Sequence, residues 1–120
     1  MTRTIVVEDN LLISVIYRHY LRKLNIELVA EVTTGERAIE VVRENEIDFI
    51  VMDIMLEGEI DGIEAMRQIR EFTSIPVIFA TGNSDDFHVK KAAAIPNSLF
   101  LVKPVTEENF SEAIEKLKDF

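Results

Sequence analysis

The side chains of this sequence that could do chemistry come directly after short apolar segments. They are Glu8, Asp9, Asp53, Thr81 and Lys103. If the carboxylates in this set lie within a few ångström of one another, they repel, and they stay ionised together only with a cation among them. Oxygen ligands and the absence of cysteine favour a hard ion, Mg²⁺ rather than Zn²⁺. These residues therefore predict a magnesium site.

A magnesium site of this kind can support phosphoryl transfer. Mg²⁺ in proteins typically binds one or two carboxylates together with water and phosphate oxygens, which leaves a further carboxylate free to attack phosphorus and form an acyl phosphate. Negative charge then develops on the oxygens of the transferring group, where a cation, a hydroxyl donor and the metal stabilise it. Lys103 and Thr81 have the chemistry for the first two of these roles.

Strands and helices are predicted to alternate and so to position these side chains. β-branched apolar segments alternate with longer segments of helical period, which is typical of an α/β protein with a parallel sheet covered by helices on both faces. The predicted strands are Thr4–Val7, Glu27–Val32, Phe49–Met52, Val77–Ala80 and Leu99–Val102. Ligands of such sheets bind beyond the carboxyl ends of the strands, where strand order reverses, and the candidate side chains lie there.

Apolar residues three and four positions apart predict the buried faces of the helices. These faces are Leu12, Val15, Ile16 and Tyr20; Ala38, Ile39 and Val42; Ile63, Met66 and Ile69 with Arg70 at the edge; and Phe110, Ala113, Ile114 and Leu117. A weaker fourth helix is predicted from about Asp85 to Ala94. The predicted caps and capping boxes are Thr33 with Glu36, Asp61 with Glu64, Ser84 and Thr106.

Size and charge narrow the class of protein. The chain has 120 residues, enough for one core, so we expect a single domain over residues 1–120 with no effector domain. Its 13 Lys and Arg against 22 Asp and Glu give a net charge of -9, which disfavours direct binding to nucleic acid or to an anionic membrane. No apolar run approaches the roughly 20 residues of a membrane-spanning helix, and the start has no signal peptide pattern, so we expect a cytoplasmic protein.

Five motifs in order make the sequence resemble, over essentially its whole length, the receiver domain of two-component response regulators. The motifs are Val-Val-Glu-Asp-Asn (6–10), Ile-Val-Met-Asp-Ile-Met-Leu (50–56), Asp-Gly-Ile-Glu (61–64), Pro-Val-Ile-Phe-Ala-Thr-Gly (76–82) and Leu-Val-Lys-Pro (101–104). The resemblance implies a flavodoxin-like fold, a three-layer α-β-α sandwich around a doubly wound five-stranded parallel sheet with strand order 2-1-3-4-5.

The resemblance also implies roles for the candidate residues. Asp53 would accept a phosphoryl group from a sensor histidine kinase or a phosphotransfer protein, and Lys103 would contact that group. The Mg²⁺ ion would be held by Glu8, Asp9 and Asp53 together with the backbone carbonyl of Met55. The protein would support only its own phosphorylation and dephosphorylation, and would otherwise not be an enzyme.

Two further residues would transmit the phosphorylation. The resemblance implies that Thr81 moves towards the phosphoryl group and that Phe100 moves inward with it. The surface around the fourth helix, the fifth strand and the fifth helix would then change for a downstream protein partner or for a homodimer. The peptide bond between Lys103 and Pro104 is often cis in the family, an isomer accessible at low cost only before proline.

Three features depart from the commonest family pattern. The loop after Asp53 has Glu57 in place of a usual proline and is one residue longer, with Gly58 inside it. The Phe-Ala-Thr-Gly sequence at 79–82 resembles a subgroup whose fourth helix is short or irregular. Ile-Pro-Asn at 95–97 replaces a glycine-containing turn before the last strand, so the output surface is expected to be unusual.

Three other functions fit parts of the sequence. A Mg²⁺-dependent phosphohydrolase with an aspartyl nucleophile needs a second Asp as general acid where this chain has Met55, which cannot transfer a proton. Flavin binding needs a hydroxyl- and glycine-rich phosphate loop, and Glu8 with Asp9 would repel the phosphate there. A receiver-like interaction module that no longer takes phosphate is the serious alternative.

The remaining charged residues have weaker interpretations. His19 and His88 lack a phosphotransfer or metal context and are interpreted as residues at the surface or edge of a helix. Arg18, Arg22 and Lys23 on the first helix could form a kinase-docking face, because that helix borders the acceptor in the family. A solvated helix face explains the same three residues equally well.

Overall fold

The sheet has the predicted parallel strands in the predicted order. The computed structural model describes residues 1–82 and 86–120. Its strands are Arg3–Val7 (β1), Glu27–Val32 (β2), Phe49–Met52 (β3), Val77–Thr81 (β4) and Ser98–Val102 (β5). They pair in the order β2-β1-β3-β4-β5. β1, β4 and β5 each include one more residue than predicted, because the ladder of hydrogen bonds extends slightly beyond the apolar segment.

Helices lie on both faces of the sheet and confirm the three-layer architecture. They are Leu11–Lys23 (α1), Gly35–Glu44 (α2), Gly62–Ile69 (α3), Asp86–Ala93 (α4) and Glu107–Lys116 (α5), and a 3₁₀ turn over Leu117–Asp119 follows α5. One core lies between the sheet and α2, α3 and α4, and a second lies between the sheet and α1 and α5. The buried faces predicted for α2, α3 and α5 are confirmed. In the part of the chain that the structure describes, no helix has the length and apolar character to cross a membrane.

The predicted buried face of α1 is wrong. Its members Leu12, Val15 and Ile16 are exposed by 70%, 47% and 38%. The buried residues are instead Ser14, Tyr17 and Leu21, and Tyr20 lies at the edge, half-buried. More than one face of this helix is apolar at a spacing of three and four, so periodicity alone cannot select between them. The Tyr17 ring stacks on Phe110 of α5 with the ring centroids 5.4 Å apart, and this contact turns Tyr17 to the core.

The N-terminus of α2 is capped by Thr34 rather than by Thr33. The Thr34 side chain accepts a hydrogen bond from a backbone N–H of the first helical turn at 3.1 Å. Glu36, the predicted partner in a capping box, instead accepts a hydrogen bond from the Glu59 N–H at 3.2 Å. Thr34 also forms a β-bridge with Glu57, which holds Thr34 extended at the helix entry, as a cap requires.

The predicted caps of α3 and α5 are confirmed. Asp61 Oδ1 accepts a hydrogen bond from the Glu64 N–H at 2.8 Å, and the Thr106 hydroxyl accepts one from a backbone N–H of the first turn at 3.0 Å. The capping box predicted for Asp61 and Glu64 is only half formed, because the Glu64 carboxylate accepts hydrogen bonds from side chains in the next turn of α3. Ser84, the predicted cap of the fourth helix, lies outside the described residues, as does its predicted first residue, Asp85.

The turn between α4 and β5 closes without a glycine. Asn97 has a φ of 56°, in the left-handed region that asparagine tolerates better than most residues. Ser98 Oγ donates a hydrogen bond to the Ile95 carbonyl at 2.7 Å, and Arg70 Nη2 donates one to the Pro96 carbonyl at 2.6 Å. Arg70, which follows α3 and was predicted at the edge of the buried face of that helix, therefore stabilises this turn.

Candidate functional site

Three site residues are fixed by hydrogen bonds that extend the sheet beyond its strands. Their backbone N–H groups donate to carbonyls of the neighbouring strand, Glu8 to Val32 at 3.0 Å, Asp53 to Val7 at 2.9 Å and Lys103 to Thr81 at 2.9 Å. The ladders of β1, β3 and β5 therefore continue one residue past the end of each strand. The sheet itself, and not only a loop, positions these residues.

The side chains of these three residues meet in a buried ion-pair cluster. Lys103 Nζ lies 2.5 Å from Glu8 Oε1 and 2.9 Å from Asp53 Oδ2. The side chains of Glu8 and Asp53 are 1% and 7% exposed, and that of Lys103 is 17% exposed. Hydrogen bonds between charged groups are stronger in such a poorly solvated place than in water. One lysine thus holds two carboxylates together at the edge of the sheet.

Burial changes the ionisation of this cluster. It raises the pKa of Glu8 to about 7, against the hydrogen bonds from Lys103 and from the Asn10 N–H, and the nearby charge of Asp53 adds to the increase. For Lys103, burial acts to lower the pKa, but the hydrogen bonds to Glu8 and Asp53 outweigh it, and the pKa is raised. The cluster has more acidic groups than cations, which favours a further bound cation.

Asp9 joins Glu8 and Asp53 in a group that could hold a metal ion. One carboxylate oxygen of each residue lies within 4.8 Å of the other two. Asp9 is only half-buried, so the group is open to solvent on its side. Converging carboxylate oxygens suit a hard divalent cation such as Mg²⁺ and provide no soft ligand for Zn²⁺. The donor set therefore fits the predicted magnesium ion.

The loop after Asp53 turns back onto the acceptor. The Met55 N–H donates a hydrogen bond to Asp53 Oδ1 at 3.3 Å, while the Met55 side chain is 55% exposed. At the far end of the loop, the Gly62 N–H donates to the Ile54 carbonyl at 2.7 Å. A Cβ at Gly62 would lie 2.0 Å from the Asp53 carbonyl oxygen, so the loop can approach this closely only with glycine there. The sequence reasoning used Gly62 as part of a motif and did not assign it this role.

The extra residue of this loop is accommodated by Gly58. Its φ is 94°, a conformation that glycine adopts without the strain that a side chain brings. A Cβ at Gly58 would lie 2.9 Å from a carboxylate oxygen of Glu36, the same side chain that accepts the hydrogen bond from the Glu59 N–H. The longer loop is therefore fastened to the first turn of α2.

Asn10 supports the site in a way that the sequence reasoning missed. Its side-chain oxygen caps α1 by accepting hydrogen bonds from the Leu12 N–H at 3.0 Å and the Ile13 N–H at 3.3 Å. Its own N–H donates to Glu8 Oε2 at 3.1 Å. An asparagine between a strand and a helical segment is a recognised capping signal, so the cap could have been predicted. Asp9 is therefore not the cap of this helix.

Thr81 and Phe100 lie on neighbouring strands, and Thr81 ends its strand at the edge of the sheet that carries Glu8, Asp9 and Asp53, the acidic cluster. Thr81 is the last residue of β4, 1% exposed, and its carbonyl accepts the Lys103 N–H. Phe100 pairs with Phe79 across β4 and β5 and packs, partly buried, against the core that the sheet shares with α2, α3 and α4. The peptide bond between Lys103 and Pro104 is cis, as the resemblance implies. The switch role of Thr81 and Phe100 stays a prediction.

Two basic residues of α1 form ion pairs within the chain. Arg18 Nη2 lies 2.6 Å from Glu31 Oε2, and Lys23 Nζ lies 2.8 Å from Glu107 Oε1. Exposed pairs of this kind contribute little to stability, and both basic groups stay near the surface. A docking role for this helix, including Arg22, stays a prediction. The histidines, His19 and His88, are exposed and half-buried respectively.

Fold and site together define a class of protein, a doubly wound α/β domain with carboxylates and a lysine at the carboxyl edge of its parallel sheet. Comparison with known families gives the identity of that class. The model of the response regulator receiver domain matches residues 4–115. The chain belongs to this family, whose members act in two-component signal transduction.

Named relatives agree with this assignment. Chemotaxis protein CheY of Bacillus subtilis (strain 168) is 30% identical over 115 residues, which cover 95% of this chain and 95% of CheY. Transcriptional regulatory protein YvrH of the same organism is 31% identical over 100 residues, which cover 83% of this chain and 42% of YvrH. The chain thus spans less than half the length of that transcriptional regulator.

Solved structures support the same fold. The signal receiver domain of a modulated diguanylate cyclase from Desulfovibrio desulfuricans G20 superposes with a TM-score of 0.88 at 27% identity, covering 98% of this chain and 93% of the other. The response regulator TrrA from Thermotoga maritima, solved in complex with Mg²⁺-BeF, has a TM-score of 0.85 at 24% identity, covering 98% of this chain and 99% of the other. The flavodoxin-like fold predicted from the sequence is confirmed.

Proposed function

We propose that this chain is a phospho-accepting receiver domain, spanning residues 1–120, in which Asp53 takes a phosphoryl group in a Mg²⁺-dependent reaction. The observation that carries the proposal is the buried cluster in which Lys103 Nζ lies 2.9 Å from Asp53 Oδ2. One carboxylate oxygen each of Glu8, Asp9 and Asp53 lies within 4.8 Å of the other two. A carboxylate next to a cation and a metal-binding group is equipped for phosphoryl transfer.

The proposed donor is the phosphohistidine of a sensor histidine kinase or phosphotransfer protein. An Asp53 carboxylate oxygen attacks the phosphorus, and the P–O bond of an acyl phosphate forms as the P–N bond to the imidazole breaks. The bonding electron pair stays on the imidazole nitrogen, which then takes up a proton. The protein acts only on itself in this reaction, and we expect it to do so in the cytoplasm.

The proposed roles of the site residues are Mg²⁺ binding and stabilisation of the charge on the phosphoryl oxygens. Glu8, Asp9, Asp53 and the Met55 carbonyl are the proposed ligands of Mg²⁺, which when bound would neutralise charge on the oxygens of the transferring group. Lys103 is placed to leave its contact with Asp53 Oδ2 for a phosphoryl oxygen, because one flexible side chain can reach either partner.

The proposed output is a change of the surface formed by α4, β5 and α5. Thr81 ends β4 next to Lys103, and Phe100 lies in the adjacent strand, so a movement of Thr81 towards a phosphoryl group can be followed by Phe100. A downstream protein partner, or a second copy of the chain, would bind the changed surface. As a further proposal, the Phe-Ala-Thr-Gly sequence at 79–82 supports membership of the subgroup whose fourth helix is short or irregular.

Intact-protein mass spectrometry after incubation with acetyl phosphate and Mg²⁺ tests the proposal. The wild type is expected to gain one phosphoryl unit, and chelation of the metal is expected to prevent the gain. Asp53→Ala should gain nothing, whereas Asp48→Ala should behave as the wild type, because exposed Asp48 lies before β3 at the opposite end of the sheet. No mass gain in the wild type would reject the proposal and favour a phosphate-independent interaction module.

A metal titration tests the ligand assignment separately. Asp9→Ala is expected to lose most of its affinity for Mg²⁺, because Glu8 is already paired with Lys103 at 2.5 Å and Asp53 with a backbone carbonyl adds too few ligands to hold a divalent ion well. An unchanged Mg²⁺ affinity in this variant would remove Asp9 from the proposed ligand set.

A further inference from the structure

The Tyr17 hydroxyl is a buried polar group that the fold does not use. The residue is 2% exposed, and its oxygen has no hydrogen-bond partner among the residues that the structure describes. A buried hydroxyl without a partner destabilises a folded protein, and each such group in a native structure calls for an explanation. Phenylalanine would fill the same space without this cost.

Tyr20, one turn further along α1, shows that the aromatic packing does not need the hydroxyl of Tyr17. Both rings contact Phe110, with centroid distances of 5.4 Å for Tyr17 and 5.5 Å for Tyr20. The Tyr20 hydroxyl donates a hydrogen bond to the Val105 carbonyl at 3.1 Å, which is a structural role. The Tyr17 hydroxyl has no comparable contact in the described part of the chain.

Several features indicate that Tyr17 lies near Glu8 and Asp53. Tyr17 follows the Asn10 cap by two helical turns, about 10 Å along the axis, and side chains on a helix lean back towards its N-terminus, here the edge of the sheet that carries the cluster. Tyr17 and Lys103 line the same groove of about 570 Å³. Burial, and after it the charges of Glu8 and Asp53, raise the pKa of Tyr17, as expected for a phenol near two carboxylates.

Glu8 is the group in the cluster that loses a donor when Lys103 moves. Lys103 Nζ donates to Glu8 Oε1 at 2.5 Å, and the Asn10 N–H donates to Oε2 at 3.1 Å. If Lys103 turns to a phosphoryl oxygen on Asp53 and a bound Mg²⁺ contacts only the other carboxylate oxygen of Glu8, Oε1 loses its hydrogen bond while Glu8 stays buried. A buried carboxylate that loses a donor is destabilised unless another takes its place.

We propose that Tyr17 is a positioning residue, whose hydroxyl donates a hydrogen bond to Glu8 when Lys103 turns from Glu8 to the phosphoryl group on Asp53. The inference rests on the proposed function, because it concerns the phosphorylated form of the same site. The proposal explains the presence of a hydroxyl that makes no described hydrogen bond in the unphosphorylated form. Its partner, Glu8, becomes available only in the phosphorylated form.

The pair Tyr17→Phe and Tyr20→Phe tests the proposal, because each variant removes one hydroxyl from the same aromatic cluster. Beryllofluoride with Mg²⁺ serves as the probe of the phosphorylated form, and calorimetric titration gives its dissociation constant. Tyr17→Phe is expected to raise this constant about tenfold, the effect of losing a hydrogen bond to a charged group. Tyr20→Phe should leave it unchanged.

Urea denaturation without Mg²⁺ should give the reverse pattern. Tyr20→Phe is expected to lower the midpoint, since it loses the bond to the Val105 carbonyl, whereas Tyr17→Phe should leave the midpoint unchanged or raise it. A Tyr17→Phe variant that loses stability and binds the probe as the wild type does would show a purely structural hydroxyl and overturn the inference. Equal weakening of probe binding in both variants would also overturn it.

Tyrosine fluorescence reports the new hydrogen bond directly. The sequence has two tyrosines and no tryptophan, so Tyr17 is the only such fluorophore in the Tyr20→Phe variant. Its emission should fall when beryllofluoride and Mg²⁺ bind, because a phenol bonded to a carboxylate is quenched, and unchanged emission would contradict the inference. If the wild type binds no probe, the proposed function fails; if it binds and Tyr17→Phe binds equally well, only the inference about Tyr17 fails.

Discussion

β4 and β5 are neighbouring strands in very different environments. Every residue of β4 is buried, as is every residue of β3, whereas β5 is half-buried along most of its length and exposed at Val102. α4, which packs beside β5, buries Ala92 among its described residues and leaves Phe87 62% exposed. Glu8 and Asp53 thus follow well-buried strands, β1 and β3, whereas Lys103 follows β5, which also contributes to the proposed output surface.

The difference matches the different requirements of the two regions. Phosphoryl transfer needs its groups in a fixed geometry, and strands with complete burial and continuous ladders provide it. A surface that changes its partner must exchange contacts at a small cost in free energy, and regions with few buried apolar contacts do so most readily.

Gly62→Ala is expected to have the largest effect. The new Cβ would overlap the Asp53 carbonyl oxygen, 2.0 Å away, so either the loop or β3 must shift. We expect the free energy of unfolding to fall by roughly 3 kcal/mol or more, measured by urea denaturation. Gly82→Ala is the control, because a Cβ there would meet no described atom within 4 Å. Similar losses in both variants would show that the tight loop does not support the acceptor.

A matched pair of valines tests the difference in burial. Val77 in β4 is 0% exposed and Val102 in β5 is 48% exposed. Val77→Ala should lower the free energy of unfolding by about 2.5 kcal/mol, from lost burial and the cavity left behind. Val102→Ala should cost less than about 0.5 kcal/mol. Equal losses in the free energy of unfolding would mean that β5 is as firmly held as β4, which would contradict the inferred difference between the two strands.

Lys103→Met should make the stability of the protein depend more strongly on the metal. Without Mg²⁺, the variant loses the cation between Glu8 and Asp53, and we expect a loss of about 2 kcal/mol. Added Mg²⁺ should restore more stability to this variant than it adds to the wild type, because Mg²⁺ then replaces Lys103 in neutralising the two carboxylates.

Lys118→Met is the matched control for that change. Lys118 pairs with Glu115 at 3.1 Å, with both side chains 71% exposed, and exposed pairs contribute little. Its thermal midpoint should respond to Mg²⁺ as the wild type does. If Mg²⁺ raised the midpoint of all three proteins equally, Lys103 would not compete with the metal for the carboxylates.

The strands and the strand-end residues of the site could be predicted because the same short apolar segments indicate both. A strand buried on both faces is a short apolar run, so its last apolar residue marks where a polar residue such as Asp53 enters the site. The position of Lys103 beside Asp53 then follows from the parallel order of the strands. The residues that lie directly at strand ends are therefore the most predictable part of the molecule.

The orientation of α1 could not be predicted in the same way. Leu12 and Val15 are as apolar as core residues, and nothing in their spacing shows that they face solvent while Tyr17 faces the core. The stacking of Tyr17 on Phe110 decides the orientation, and it joins residues 93 positions apart in the sequence. The tie from Glu36 to the Glu59 N–H was missed for a similar reason, since it depends on how a loop folds back on α2.

The position of the phosphoryl group on the chain decides whether Asp53 is the acceptor. Borohydride reduces an aspartyl phosphate to homoserine, and peptide mass spectrometry can place that residue in the sequence after phosphorylation with acetyl phosphate and Mg²⁺. We predict homoserine at position 53, in the peptide that follows β3, and unmodified aspartate at position 9. Homoserine at position 9, or at neither position in a protein that has gained a phosphoryl unit, would contradict the assignment of Asp53 as the acceptor.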